Sequence, residues 1–187
     1  AAHLVDAFAN AADLTEEDVL DIDEDAYRQD QLASRLYGVL KVPKERQFLQ
    51  PGKVASSVSS SAQVVKEEIA AYVVEGMDPD TLYLLGPGTT VKAIADRLGF
   101  AKTLLGIDAV QARTLIETDL NERAILDLFD TFEKRSIIVT PIGGNGFIFG
   151  RGSKQFTPEV IRKVGKENIW VVGTREKIWS LDCLRVD

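Results

Sequence analysis

Thr81-Leu82-Tyr83-Leu84-Leu85-Gly86-Pro87-Gly88-Thr89-Thr90-Val91 reads as strand, turn and helix start in succession. A short apolar run suits a buried strand, two glycines around a proline suit a tight turn, and the threonines suit a helix start. The helix is predicted over 89–98. The same rhythm continues downstream. Thr103 to Ile107 reads as a strand, and Glu122 to Lys134 as a helix with Ile125, Leu126, Leu128, Phe129 and Phe132 at helical spacing. Ser136 to Thr140 is a second strong strand. Pro158 to Val164 follows as a helix, with Thr157 as its cap and Pro158 at its first position. Ile169 to Val172 is again a strand. Strands alternating with helices of this length predict an α/β fold, a mostly parallel sheet with helices on both faces in a Rossmann-like three-layer arrangement.

Upstream the pattern changes. Ala62 to Gly76 reads as an amphipathic helix, entered from a long, mobile connection over 44–61 that ends in a serine run. Glu24 to Tyr37 shows helical spacing, with Gly38 as a plausible terminator, and Val39 to Val42 runs extended into Pro43. Val19 to Asp23 alternates apolar and acidic, as a half-exposed strand does, after an acidic turn over 13–18.

The chain has 187 residues and a net charge of −7, but the acidity is local. Residues 1–30 hold ten acids and a single base, Arg28, so they carry −9 while the remainder carries +2. Residues 1–18 are therefore expected to be an acidic lead-in, away from any ligand site, with the α/β body over 19–187. Residues 135–187 hold nine Lys+Arg against five acids. That mild excess suits a small phosphorylated ligand or nucleotide and falls short of a nucleic-acid stripe.

Other classes are excluded by composition. No run of eighteen apolar residues exists to span a membrane, and no secretory leader pattern opens the chain. One cysteine, Cys183, allows no internal disulfide, and one histidine, His3, leaves no histidine triad or His-rich metal site. These features read as a cytoplasmic protein. Cys183 is expected to be a small buried apolar residue, and Trp170 and Trp179 to be core or interface residues.

Two segments carry candidate chemistry. In the first, Gly86 and Gly88 let the backbone approach a ligand closely, and the opening turn of the helix at Thr89 and Thr90 favours an anion. The bland alternative is a tight turn with a threonine cap. Asp108, after the expected strand, can accept from a sugar hydroxyl, hold a metal, or cap a turn. In the second segment, Gly143, Gly144, Asn145 and Gly146 precede the run Phe147-Ile148-Phe149, and Gly150 and Gly152 flank Arg151. Glycines on both sides of aromatics suit close approach to a planar or phosphorylated ligand, and Arg151 adds a fork matched to phosphate. A Gly-rich hairpin with core phenylalanines is the alternative.

The ordered set Val19 to Glu24, Leu82 to Thr90, Leu104 to Asp108, Ile138 to Gly152 and Leu184 to Asp187 resembles the C-terminal half of the ATP–NAD kinase-like proteins. That branch includes the acetoin-catabolism protein X group and the ATP- or polyphosphate-dependent NAD kinases. Thr140-Pro141-Ile142-Gly143-Gly144 is the most specific part. The resemblance implies ATP or polyphosphate and NAD as ligands, a possible divalent metal, and a homo-oligomer. It also implies a preceding N-terminal domain with a Gly-Gly-Asp-Gly-Thr motif whose Asp serves phosphoryl transfer. No such motif occurs in this sequence. The expectation is thus the rear half of a kinase, binding nucleotide through its Gly-rich loops and inactive alone. A non-catalytic nucleotide or sugar-phosphate sensor is the alternative.

Overall fold

The structure, a computed structural model, describes residues 14–22, 34–43, 60–102, 104–142, 146–150 and 152–186. The chain divides into two compact units, one containing residues 31–57 with most of the N-terminal stretch, the other containing residues 58–187.

In the first unit, β1 (Leu14–Ile22) and β2 (Ser34–Pro43) form a two-stranded antiparallel ribbon. Two expectations are corrected here. The acidic turn over 13–18 is strand from Leu14, and Ser34 to Tyr37 is strand where a helix was expected. The apolar residues Leu36, Tyr37, Val39, Leu40 and Val42 are mostly aromatic or branched and favour a pleated surface. The register slips between Val19 and Leu20, which leaves Tyr37 as the extra residue of a bulge. The rest of that expected helix, residues 1–13 and most of the 44–61 connection lie outside the described residues.

The second unit opens with helix α1 (Ser60–Glu75) where a helix was expected, but the expected apolar face is corrected: Ala70, Val73 and Val74 are buried, whereas Val65 and Tyr72 are exposed. Five strands form its main sheet: β3 (Leu82–Leu85), β4 (Asp108–Gln111), β5 (Thr114–Glu117), β6 (Arg135–Val139) and β8 (Ile169–Val171), in the order β5-β4-β3-β6-β8. β3, β6 and β8 are parallel neighbours, and β4 alone runs against the rest. The sheet is therefore mostly parallel in direction.

Helices cover both faces. Alternate residues of β3 and β6 point to opposite sides, so Tyr83, Leu85 and Ile138 meet α1 and helix α2 (Thr89–Leu98) through Ala70, Val73, Val91 and Ile94. Leu82, Leu84, Ile137 and Val139 meet α3 (Glu122–Thr131) and α4 (Pro158–Val164) through Ile125, Phe129, Val160 and Val164. Three layers and an α/β fold result, as the strand–helix rhythm implied. A short ladder of β7 (Phe147–Phe149) with β9 (Arg185–Val186), and the short helix α5 (Arg175–Trp179), complete the unit. No helix among the described residues is long and apolar enough to cross a membrane.

The strand expected over 103–107 does not form. Leu104 and Leu105 lie in a bend, and Leu104 and Ile107 are buried, so the apolar run is a core-lining loop. An apolar run of this length marks burial without distinguishing strand from loop. The strand starts at Asp108.

Candidate functional site

β3, β6 and β8 run in one direction, so their carboxyl ends share one edge of the sheet. The connection leaving β3 passes into α2 on one face, and the connection leaving β6 leads to α4 on the other. Chains diverging from adjacent parallel strands mark a topological switch point, the place where ligands of open α/β sheets bind. The Gly86–Thr90 turn lies on the β3 side of this switch point, and Thr140 with Pro141 on the β6 side, the two meeting where Gly88 packs against the Thr140 methyl group.

The glycines of the first segment meet neighbouring atoms closely. The Gly86 N–H donates to the Ile138 carbonyl at 2.9 Å. A Cβ on Gly86 would stand 3.0 Å from Val139 and 3.2 Å from the Ile138 carbonyl oxygen. Gly88 has φ 113° and ψ 154°, a region open in practice only to glycine. A Cβ there would lie 2.5 Å from the Thr140 methyl group. The Gly88 N–H donates to the Leu104 carbonyl at 2.9 Å, tying the turn to the 104–107 loop.

Gly88 is also the N-cap of α2, and no side chain caps that helix. Neither Thr89 nor Thr90 fills the role; they are its first two residues, Thr89 half-buried and Thr90 buried. By contrast α3, α4 and α5 open on Asn121, Thr157 and Thr174, each of which accepts a hydrogen bond from a backbone N–H of the first turn. The opening amides of α2 lack a carbonyl ahead of them, and the helix adds about half a positive charge at that end. This is an anion-favouring arrangement.

Asp108 sits at the same edge for a reason the sequence pattern hid. Because β4 runs against β3, its first residue stands opposite Leu85, the last residue of β3. The Asp108 side chain is 1% exposed and faces Lys102, whose side chain is 0% exposed, with Nζ 3.3 Å from Oδ2. That contact is an ion pair outside hydrogen-bond geometry, since Oδ2 itself accepts no hydrogen bond. Oδ1 accepts from the Asp119 N–H at 2.9 Å. Lys102 also donates to the Gly106 carbonyl. Burial pushes the Lys102 ammonium below the ordinary lysine range, opposed by the Asp108 and Asp119 carboxylates and reinforced by Lys92. Among the described residues no three His, Cys, Asp or Glu side chains gather to hold a metal ion.

In the second segment, Gly143, Gly144, Asn145 and Arg151 lie outside the described residues. Their flanks are clear. Ile142 bridges Phe147 in antiparallel fashion. Gly146 has φ 76°, and a Cβ on it would collide with the Cys183 carbonyl oxygen. Here the missing side chain admits the C-terminal segment: the Arg185 N–H donates to the Gly146 carbonyl at 2.8 Å. Phe149 is buried edge-on against Phe156, with ring centroids 5.7 Å apart. Gly146→Ala is expected to detach residues 183–186, and hydrogen exchange at the Arg185 amide, accelerated at least about tenfold, is the readout.

Cys183 is exposed, contrary to expectation, because its segment runs over the surface above Gly146. Trp170 is partly buried edge-on to Tyr83, whereas Trp179 is 75% exposed beneath the Arg175 guanidinium. Three polar residues at this edge or beside it were not expected. Thr140 Oγ1 and Ser153 Oγ are buried hydroxyls without a hydrogen-bond partner. Lys102 is the third. Its signal in sequence was a single cation within the apolar stretch Phe100 to Ile107, six residues before Asp108.

Neither curated proteins nor solved structures yield a match to this chain. A family model does: the ATP-NAD kinase C-terminal domain, over residues 78–187. The matched span starts just before β3 and runs through β9, so it takes in both Gly-rich segments and Asp108. More than half of the sequence is covered, and the chain belongs to the ATP-NAD kinase C-terminal domain family.

Proposed function

We propose that this chain supplies the nucleotide-binding half of an NAD kinase-type phosphotransferase, with ATP or polyphosphate as donor and NAD as acceptor. The observation that carries the reading is the uncapped N-terminus of α2, set by Gly88 at the switch point between β3 and β6. In this reading phosphate oxygens meet the amides of Thr89 and Thr90 across the Gly86–Gly88 turn. The hydroxyl of Thr140, lacking a partner, adds a donor on the other wall. Gly143, Gly144, Asn145 and Arg151 are proposed to reach the same ligand from the loop after β6, with Gly146 fixing the base of that loop.

Phosphoryl transfer is mostly positioning and charge stabilisation around an in-line attack, with a group placed to take the proton of the attacking hydroxyl. Asp108 is not free for that proton, being held against Lys102. No step through a metal is assigned to this chain. The carboxylate base is proposed to come from a domain bearing Gly-Gly-Asp-Gly-Thr, within a cytoplasmic homo-oligomer. Calorimetric titration with ATP, NAD, polyphosphate and sugar phosphates tests the reading. Saturable binding of ATP or NAD is expected, with no NADP formed by the chain alone. Preference for a sugar phosphate over both nucleotides, or indifference to all four, would overturn it.

A further inference from the structure

The buried Lys102–Asp108 pair is not used in the ligand contacts above, yet it lies one loop away from them. Lys102 enters the 102–108 loop with its ammonium fully enclosed, donates to the Gly106 carbonyl, and pairs with Asp108 at the loop's end. Both ends and the middle of the loop are thus tied by one side chain. A further bond, from the Leu120 N–H to the Ile107 carbonyl at 2.7 Å, fixes the loop's exit. The Leu104 carbonyl, in the centre of the loop, accepts the Gly88 N–H at 2.9 Å. That bond holds the N-cap of α2.

Burying a lysine is costly, and chains place one out of water only where its hydrogen bonds and countercharge are fixed. A lysine spent on its own loop's carbonyl stiffens that loop. We infer that Lys102 is a positioning residue: with Asp108 it sets the Leu104 carbonyl, which sets Gly88 and the orientation of the α2 amides toward phosphate. Lys102 does not touch the ligand. This inference rests on the functional reading given above, in which the Gly86–Thr90 turn binds phosphate.

Two variants of the full chain test it, Lys102→Met and the double variant Lys102→Met/Asp108→Asn. Asparagine keeps an acceptor for the Asp119 N–H while removing the charge that Lys102→Met would leave unpaired. The double variant therefore carries the test if the single one fails to fold. Hydrogen exchange at the Gly88 amide is read by NMR, and ATP and NAD affinities by calorimetry. In the folded double variant, with melting temperature recovered toward wild type, the Gly88 amide is expected to exchange at least about tenfold faster. Affinity is expected to fall about tenfold alongside it. A role confined to stability would return both readouts with the melting temperature. Unchanged Gly88 exchange, or faster exchange with unchanged affinity, overturns the positioning role while leaving nucleotide binding intact. A wild-type chain that binds neither ATP nor NAD overturns the functional reading itself, and this role with it.

Discussion

Gly88→Ala is expected to lower stability by about 3 kcal/mol and to remove detectable binding of ATP and NAD. Two costs combine. Alanine is strained at φ 113°, ψ 154°, and its methyl would meet the Thr140 methyl, 2.5 Å from the Cβ position. The chain relieves both by rotating the turn, which breaks the bond from the Gly88 N–H to Leu104 and turns the α2 amides away. Gly99 is the control. It also has positive φ, at 87°, but an added Cβ meets nothing within 4 Å. Gly99→Ala is therefore expected to cost only about 1 kcal/mol, with nucleotide affinity unchanged. Thr140→Ser removes the clashing methyl and keeps the hydroxyl. Combined with Gly88→Ala it is expected to recover about 1 kcal/mol, a coupling that equilibrium denaturation of the four proteins measures. Strict additivity would show that the two residues do not meet.

The second large effect is Lys102→Met, expected to destabilise the chain by about 3–5 kcal/mol, because it leaves Asp108 buried and uncompensated. Adding Asp108→Asn is expected to return at least about half of that loss. The loss should also grow with pH. Lys102 has a folded pKa below the ordinary 10.5, so between that lowered value and 10.5 the unfolded chain binds more protons. Wild-type stability from this group therefore rises with pH across that window, and methionine has nothing to titrate. Urea denaturation at pH 7 and pH 9.5 checks the sign. A wild-type advantage that shrinks at pH 9.5 would mean that Lys102 is held charged by Asp108 and Asp119 against its burial.

The layers and most helices were legible because each rests on a local signal strong enough to survive folding. Leu82–Leu85 and Ile137–Val139 are apolar runs because both sheet faces are covered. Thr157-Pro158 marks its helix start through capping chemistry that operates in the first turn alone. Ser34 to Tyr37 misled because helical spacing over so few apolar residues also fits a strand once Tyr37 is a bulge residue. The 104–107 loop misled because burial, which shaped its composition, is shared by strands and by loops tied through Lys102. Asp108 was still placed at the correct edge, since β4 runs antiparallel to β3 and begins where a parallel strand would end.

Gly86 and Gly88 were legible as positions that require glycine, and the groups that crowd them are the chain's own Val139, Ile138, Phe156 and Thr140. Gly146 is alike, the crowding group there being the Cys183 carbonyl. Contacts between segments distant in sequence, such as Gly88 with Thr140 and Leu104, have no signature in a single sequence. They emerge only when the strands are ordered.

Backbone amide chemical shifts of the chain titrated with ATP, and separately with NAD, locate the nucleotide on the sheet edge. The largest changes are expected on Gly86, Gly88, Thr89 and Thr90, with Thr140 beside them and the β4–β5 turn at Ala112–Arg113 unmoved. Saturable shifts centred elsewhere, with the Gly86–Thr90 amides unchanged, would contradict that placement.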